Sequence, residues 1–259
     1  MGLRIGIAGI GGRMGRLLAE EARAAGHTVA GGTLKPGSAK AAPEGVPVLP
    51  DVAALTAAAD VLIDFTIAGT AQEHAAAAAQ AGKPLVLGTS GLSAEDEAAV
   101  ALAARRIAVV YAANFAPGVN LALALAERMG AALPAEAYDA EIVEMHHRQK
   151  VDAPSGTAIA LGRAVARGRG ITLEGNTESG RDGHTGPRRT GAIGFAALRG
   201  GQVAGEHTLL FAGATEHIAL SIRAFDRRIF ASGAIQAAGW VAGRAPGLYD
   251  MLDVLGMRA

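Results

Sequence analysis

The chain has no cysteine. That excludes disulfides, thiolate nucleophiles and cysteine-held zinc or iron–sulfur centres, and it is compatible with a reducing compartment. Net charge is missing as well: 24 lysines and arginines balance 24 aspartates and glutamates, so no overall field draws the chain to nucleic acid or to an anionic membrane. Any anion must be met locally. Long apolar runs are absent; the alanine-rich stretch Ala71–Ala81 is broken by Gln72, Glu73, His74 and Gln80 and reads as a surface helix rather than a membrane span. The opening MGLRIGIAG lacks the charged, then apolar, then small-residue order of a targeting signal. A soluble, cytoplasmic protein is therefore expected, with neither nucleic acid nor membrane as a partner. No internal repeat or low-complexity tail interrupts the 259 residues. Half of them (50%) are hydrophobic, enough to bury a sizeable core in two modest domains.

Residues 3–8 read as a short buried strand that runs into Gly9, Ile10, Gly11, Gly12, Arg13, Met14 and Gly15, after which Leu17, Leu18 and Ala22 have helical spacing. Glycines let the backbone approach a pyrophosphate at a helix start, so strand, glycine turn and helix together suit a dinucleotide, although the spacing is G-x-x-G-x-x-G rather than G-x-G-x-x-G. Similar strands recur at residues 28–31, 61–65, 84–88 and 107–111, separated by segments long enough for crossover helices. Alternation of this kind implies a parallel sheet whose ligands bind beyond the carboxyl ends of the strands. There lie the glycine turn, Asp64-Phe65-Thr66, Gly88-Thr89-Ser90 and Ala113-Asn114-Phe115-Ala116. The acidic residue that would bind the ribose hydroxyls of NAD is missing, because the second strand ends Gly32-Thr33-Leu34-Lys35. Lys35 can instead meet a 2′-phosphate, or be a solvated loop cation. NADPH or NADH is the expected cofactor.

Beyond Pro117 the pattern changes to a helix near 119–129, a strand leading to His146, a helix from Gly156 to about Arg167, and strand-like runs at 191–198, 206–212 and 217–224 without helices between them. The expected fold class is α/β: a Rossmann-like doubly wound parallel sheet plus a central α+β domain with an open mixed sheet. Its expected segments are 1–117 for dinucleotide binding, 118–226 as a second domain, and 227–259 as a helical return to the first domain.

The segment EIVEMHHRQKVDAPSGTA, residues 141–158, concentrates the chemistry. Pro154 stops any earlier helix, and Ser155-Gly156-Thr157 opens a new one whose first N–H groups and positive dipole end suit a carboxylate. His146 and His147 are adjacent, so on a regular strand they face opposite sides, and only a bend brings both into one cleft. Lys150, beside Arg148, suits a proton donor or is a solvated loop cation. Metal is not expected, since no third histidine is suitably spaced and the two cations repel a metal ion.

At GIGGRMGR (9–16), DFT (64–66), GTSG (88–91), AANFAPGVN (112–120), HHRQKVDAPSGTA (146–158), GHTGPR (183–188), IGFAALRGG (193–201) and GEHT (205–208) the chain resembles bacterial dihydrodipicolinate reductases. The resemblance implies reduction of 4-hydroxy-tetrahydrodipicolinate, a small cyclic dicarboxylate, in lysine and diaminopimelate biosynthesis by a homotetramer built through the central sheets, with 118–226 as the substrate-binding and oligomerisation domain. It implies that His146 is the catalytic histidine and Lys150 the proton donor, and that His147, Gly156 and Thr157, beside Ser155, hold the substrate. The cofactor would lie along residues 9–14, 88–90 and 113–116. Two positions depart from the family: Gln149 stands where histidine is common, and Leu34 where many members carry an acid. The competing readings are another two-domain NAD(P)-dependent oxidoreductase and a catalytically silent nucleotide-binding regulator; the Ser155-Gly156-Thr157 helix start argues against the first, and the pair His146 and Lys150 against the second.

Overall fold

A computed structural model of the chain describes residues 2–35 and 37–258, so Met1 and Ala259, the outer ends of the expected segments, lie outside the described residues. In chain order the elements begin β1 (Arg4–Ala8), α1 (Arg13–Ala24), β2 (Thr28–Gly32), α2 (Val52–Ala58), β3 (Val61–Asp64), α3 (Ala71–Ala81), β4 (Leu85–Leu87), α4 (Ala94–Ala104) and β5 (Ala108–Tyr111). Then come α5 (Pro117–Ala132), β6 (Asp139–His146), α6 (Gly156–Gly168), β7 (Thr177–Ser179), β8 (Ile193–Arg199), β9 (Gly205–Ala212) and β10 (His217–Ala224). The chain closes with α7 (Arg228–Val241), β11 (Gly247–Tyr249) and α8 (Met251–Val254). Two compact units result, Met1–Pro117 with Arg228–Ala259, and Gly118–Arg227.

In the first unit the strands pair in the order β11-β5-β4-β3-β1-β2, all parallel. Parallel strands are covered on both faces, and here their side chains divide between two cores. Ile5, Ile7, Ile63 and Val86 pack with Leu18 of α1 and with Ala234 and Ala238 of α7. Leu62, Leu85, Leu87 and Val109 pack with Leu55 of α2, Ala78 of α3 and Val100 of α4. The alanine-rich α3 therefore buries one side against the sheet and keeps Gln72, Glu73 and Gln80 exposed. Gly9 has φ +72°, a conformation that side chains disfavour, and a Cβ on Gly15 would fall 2.4 Å from the Gly9 carbonyl oxygen. Glycine at both positions lets α1 start directly against the strand end.

The second unit contains the mixed sheet β10-β9-β6-β8-β7, antiparallel from β10 to β6 and parallel from β6 to β7. Alternate residues of its central strands, Ala140, Ile142, Leu209 and Phe211, form a core with Ala122 and Ala126 of α5 and with Ala158, Leu161 and Val165 of α6. Glu144 and His146 follow Ala140 and Ile142 at two-residue spacing and are buried on that same face. The opposite face leaves Val143 and Leu198 exposed. The long glycine-rich loop before β8 is anchored by Arg188, which pairs with Glu141 at 2.7 Å and Asp139 at 2.9 Å and also donates to the carbonyls of Ala140 and Ala192. Among the described residues no helix is long and apolar enough to cross a membrane.

Candidate active site

Strand register sets the geometry of the first unit's rim. Ala8 pairs with Asp64, Asp64 with Leu87 and Leu87 with Tyr111, so the chain leaves four adjacent strands at one level, into the glycine turn and the segments after residues 64, 87 and 111. The glycine turn closes with Gly12 N–H donating to the Gly9 carbonyl at 2.9 Å, and Ile10 N–H donates to Thr33 beyond β2 at 3.0 Å. No side chain among the described residues caps α1 at Gly12, which leaves the helix's opening N–H groups to an anion. Ile10 and Phe115 are themselves buried, the latter with its ring 5.2 Å from that of Phe65, so at these two positions only backbone atoms face the rim. Asn114 Oδ1 accepts from Ala116 N–H at 2.8 Å and shapes the last of the four segments.

Asp64 holds the rim together. Fully buried, it accepts from Thr66 N–H and Oγ1 at 2.8 and 2.6 Å, from Thr89 Oγ1 at 3.3 Å and meets His74 Nδ1 at 2.7 Å. Thr89 is thereby oriented by a neighbouring strand tip. Arg13 and Lys35 are exposed at the glycine-turn end. The sequence reading passed over Arg16, which donates to the Ala41 carbonyl at 2.6 Å, and over Lys40, whose Cβ would lie 3.1 Å from a side chain on Gly11. A basic residue a few positions beyond the second strand was the available signal for Lys40, whereas Arg16 lies in the first turn of α1.

In the second unit β6 ends at His146, and the chain turns at once: His147 N–H donates to the Val203 carbonyl at 2.8 Å and Lys150 N–H to the His147 carbonyl at 3.1 Å. This is the bend that two adjacent histidines require. His147 is half-buried, and its Nδ1 is buried with no hydrogen-bond partner among the described residues. Lys150 Nζ is held by Asp152 at 2.8 and 2.9 Å, so the charge in contact with it is a carboxylate rather than Arg148. The Lys150 hydrogen bond also keeps the Asp152 carboxyl below its ordinary range. Ser155 caps α6 by accepting from Ala158 N–H at 3.2 Å, with Gly156 exposed and Thr157 half-exposed in the first turn.

Three residues behind this turn carried no assigned role in the sequence reading. Glu144, 1% exposed, meets His146 Nδ1 at 2.6 Å, both terminal nitrogens of Arg199 at 2.8 and 2.9 Å, and Ser155 N–H at 3.1 Å. Burial raises its carboxyl pKa, but the hydrogen bonds from Arg199, His146 and Ser155 outweigh that and hold it below the ordinary value. His207 bonds Ser155 Oγ at 2.9 Å and presents its ring to His146 edge-on at 5.1 Å. Burial, reinforced by the like charges of His146 and Lys150, pushes it down to about 4. The only hint for Glu144 was its two-residue spacing from His146, which places both on one strand face.

A separate cleft of about 460 Å³ is lined by Glu141, Pro154, Glu178, Arg181 and Phe195 and includes none of His146, Lys150, Gly156 or Thr157. Its charges are already matched, Glu141 to Arg188 and Glu178 to Arg181, so it is a poor cradle for a dicarboxylate.

Residues 3–115 match the family model described as dihydrodipicolinate reductase, N-terminus, and residues 118–255 match the model for its C-terminus. The 4-hydroxy-tetrahydrodipicolinate reductase of Granulibacter bethesdensis is 67% identical over 256 residues, covering 99% of this chain and 98% of the relative. That of Acidiphilium cryptum is 60% identical over 255 residues, 98% of either chain. Among solved structures, the dipicolinate-bound dihydrodipicolinate reductase from Paenisporosarcina sp. TG-14 aligns with a TM-score of 0.81 at 25% identity, over 98% of this chain and 99% of that one.

Proposed function

The chain belongs to the dihydrodipicolinate reductase family, and we propose that its reaction, the NAD(P)H-dependent reduction of 4-hydroxy-tetrahydrodipicolinate to tetrahydrodipicolinate, is served by the His146–Lys150 turn and the start of α6. One observation carries the assignment. The fold joins buried His146 by hydrogen bonds through Glu144 and Ser155 to a helix start with exposed Gly156 and half-exposed Thr157, and Lys150, held by Asp152, lies in the turn between them.

In this reading the Gly156 and Thr157 N–H groups and the Thr157 hydroxyl hold one carboxylate of the dicarboxylate, where the helix dipole favours negative charge. His147 has a buried Nδ1 with no hydrogen-bond partner among the described residues, and in this reading a turn of its ring on binding gives that nitrogen a substrate oxygen as partner. Reduced nicotinamide supplies the hydride. As negative charge builds on the ring, His146 stabilises it and Lys150 donates a proton to the neighbouring carbon, leaving the contact with Asp152 in which it is held.

The first unit serves as the dinucleotide domain. The uncapped α1 start and the glycine turn of Gly9, Gly11 and Gly12 fit a pyrophosphate, while Arg13, Met14, Gly88, Thr89, Ser90, Ala113 and Asn114 extend the rim for the rest of the cofactor. Lys35 faces the adenosine end and attracts a 2′-phosphate. The family resemblance supports a homotetramer, and the exposed Val143 and Leu198 on the uncovered sheet face supply apolar surface for it. The absence of cysteine and of a spanning helix among the described residues fits a cytoplasmic setting.

The reading is tested by adding the protein and NADPH to substrate freshly generated from pyruvate and aspartate semialdehyde by the preceding synthase. Loss of the reduced-nicotinamide absorbance, inhibited by pyridine-2,6-dicarboxylate, is the expected outcome. Absence of turnover with a folded, NADPH-binding protein would remove the proposal.

A further inference from the structure

Glu144 is a buried carboxylate outside the residues that would touch substrate or cofactor, and nothing in the steps above requires it to react. We infer that Glu144 is a positioning residue for the reduction: its carboxylate fixes the tautomer and orientation of the His146 ring and joins that ring to the N-cap of the substrate-holding helix. This rests on the reading of His146 as a catalytic residue.

The hydrogen-bond inventory determines the tautomer. An ionised carboxylate only accepts, so the 2.6 Å contact between Glu144 Oε2 and His146 Nδ1 places a hydrogen on Nδ1. That hydrogen is kept in both ring states: in the neutral ring Nε2 is an acceptor, and in the cation, which the carboxylate supports, Nε2–H donates to the charge that builds on the substrate. Gly205 lies beside that nitrogen; a Cβ there would be 3.0 Å from Nε2, and the absence of a side chain leaves the nitrogen's surroundings open. The edge of His207, with its ring 5.1 Å away at 76°, blocks one direction of rotation.

The same carboxylate reaches three segments. Its Oε1 accepts from Ser155 N–H at 3.1 Å, at the residue whose hydroxyl starts α6. Arg199 grips both oxygens and also donates to the Asp152 carbonyl at 2.6 Å, in the loop that carries Lys150. A bidentate guanidinium offsets the cost of burying the carboxylate, which keeps it an acceptor for His146. An ion pair serving stability alone would need Arg199 but not the histidine.

Histidine-selective 15N NMR reads the tautomer directly, with the His146 signals assigned by their loss in His146→Gln. In the wild type at neutral pH the expected state is hydrogen on Nδ1. Glu144→Gln keeps the shape but removes the negative charge that supports a cationic His146, and where its amide N–H faces the ring the hydrogen moves from Nδ1 to Nε2; kcat should fall at least about tenfold. Affinity for pyridine-2,6-dicarboxylate should change far less, and Glu144→Asp, which restores a carboxylate, should recover part of the lost kcat. Hydrogen on Nε2 and not on Nδ1 in the wild type would overturn the inference even if Glu144→Gln failed to fold. So would a folded Glu144→Gln enzyme with kcat within about twofold of wild type. A fully active His146→Gln enzyme would instead remove the reading beneath it, whereas a defective His146→Gln beside a fully active Glu144→Gln would remove only the role of Glu144.

Discussion

At the scale of single residues, burial decides what a side chain does, and His207 gives the largest measurable consequence. Burial first, then the charges of His146 and Lys150, lower its pKa from 6.5 to about 4, with Glu144 opposing. Above pH 6.5 the ring is neutral folded or unfolded and contributes nothing to the pH dependence. Between 6.5 and about 4 the unfolded chain takes up a proton that the folded one refuses, so stability falls with pH across that window. The loss should be on the order of 2 kcal/mol, allowing for partial solvent screening. Urea unfolding followed from pH 7 to 4 should show this slope in the wild type and a flatter one in His207→Gln, which bonds Ser155 without titrating; parallel curves would contradict the assignment. Sequence made His146 and Lys150 legible because polar residues crowd a short turn. It left Glu144, Arg199 and His207 without roles, since a charge alternating with apolar residues reads as a solvated strand face. Only the pairing of β6 with β8 and β9 brings residues 144, 199 and 207 together.

Among the elements, α6 was readable almost to its ends: the expected span from Gly156 to about Arg167 compares with Gly156–Gly168, because Pro154 and the Ser155 cap mark its start in local chemistry. The three-residue strands β7 and β11 were not anticipated, as three residues are too few to show a period of two. Ser155 links helix formation to the site, accepting from Ala158 N–H while bonding His207. Ser155→Ala should therefore destabilise the protein by about 1–2 kcal/mol, the cost of a lost cap plus a buried ring nitrogen left unpaired. Chemical denaturation measures it. A change below about 0.5 kcal/mol would mean that the cap is not limiting.

For the whole molecule, the alternation of strands and helices announced a parallel sheet followed by a mixed one, but not the strand order, which depends on crossovers and on the C-terminal β11 pairing beside β5. Light scattering should give the mass of four chains, and a monomer at micromolar concentration would contradict the homotetramer. Cofactor choice follows from the missing acid beyond β2. NADPH should be used at least as well as NADH, and Lys35→Ala should lower kcat/KM for NADPH selectively, by a modest factor that shrinks with salt because Lys35 is exposed. An unchanged NADPH-to-NADH ratio would place selection elsewhere in the adenosine pocket. The most direct test of the central claim is steady-state turnover of Lys150→Ala beside the wild type, with circular dichroism confirming the fold and NADPH affinity measured separately. The expected result is kcat lower by about 10²-fold or more with NADPH binding nearly unchanged; near-normal kcat in the folded variant would contradict the assignment of proton donation to this turn.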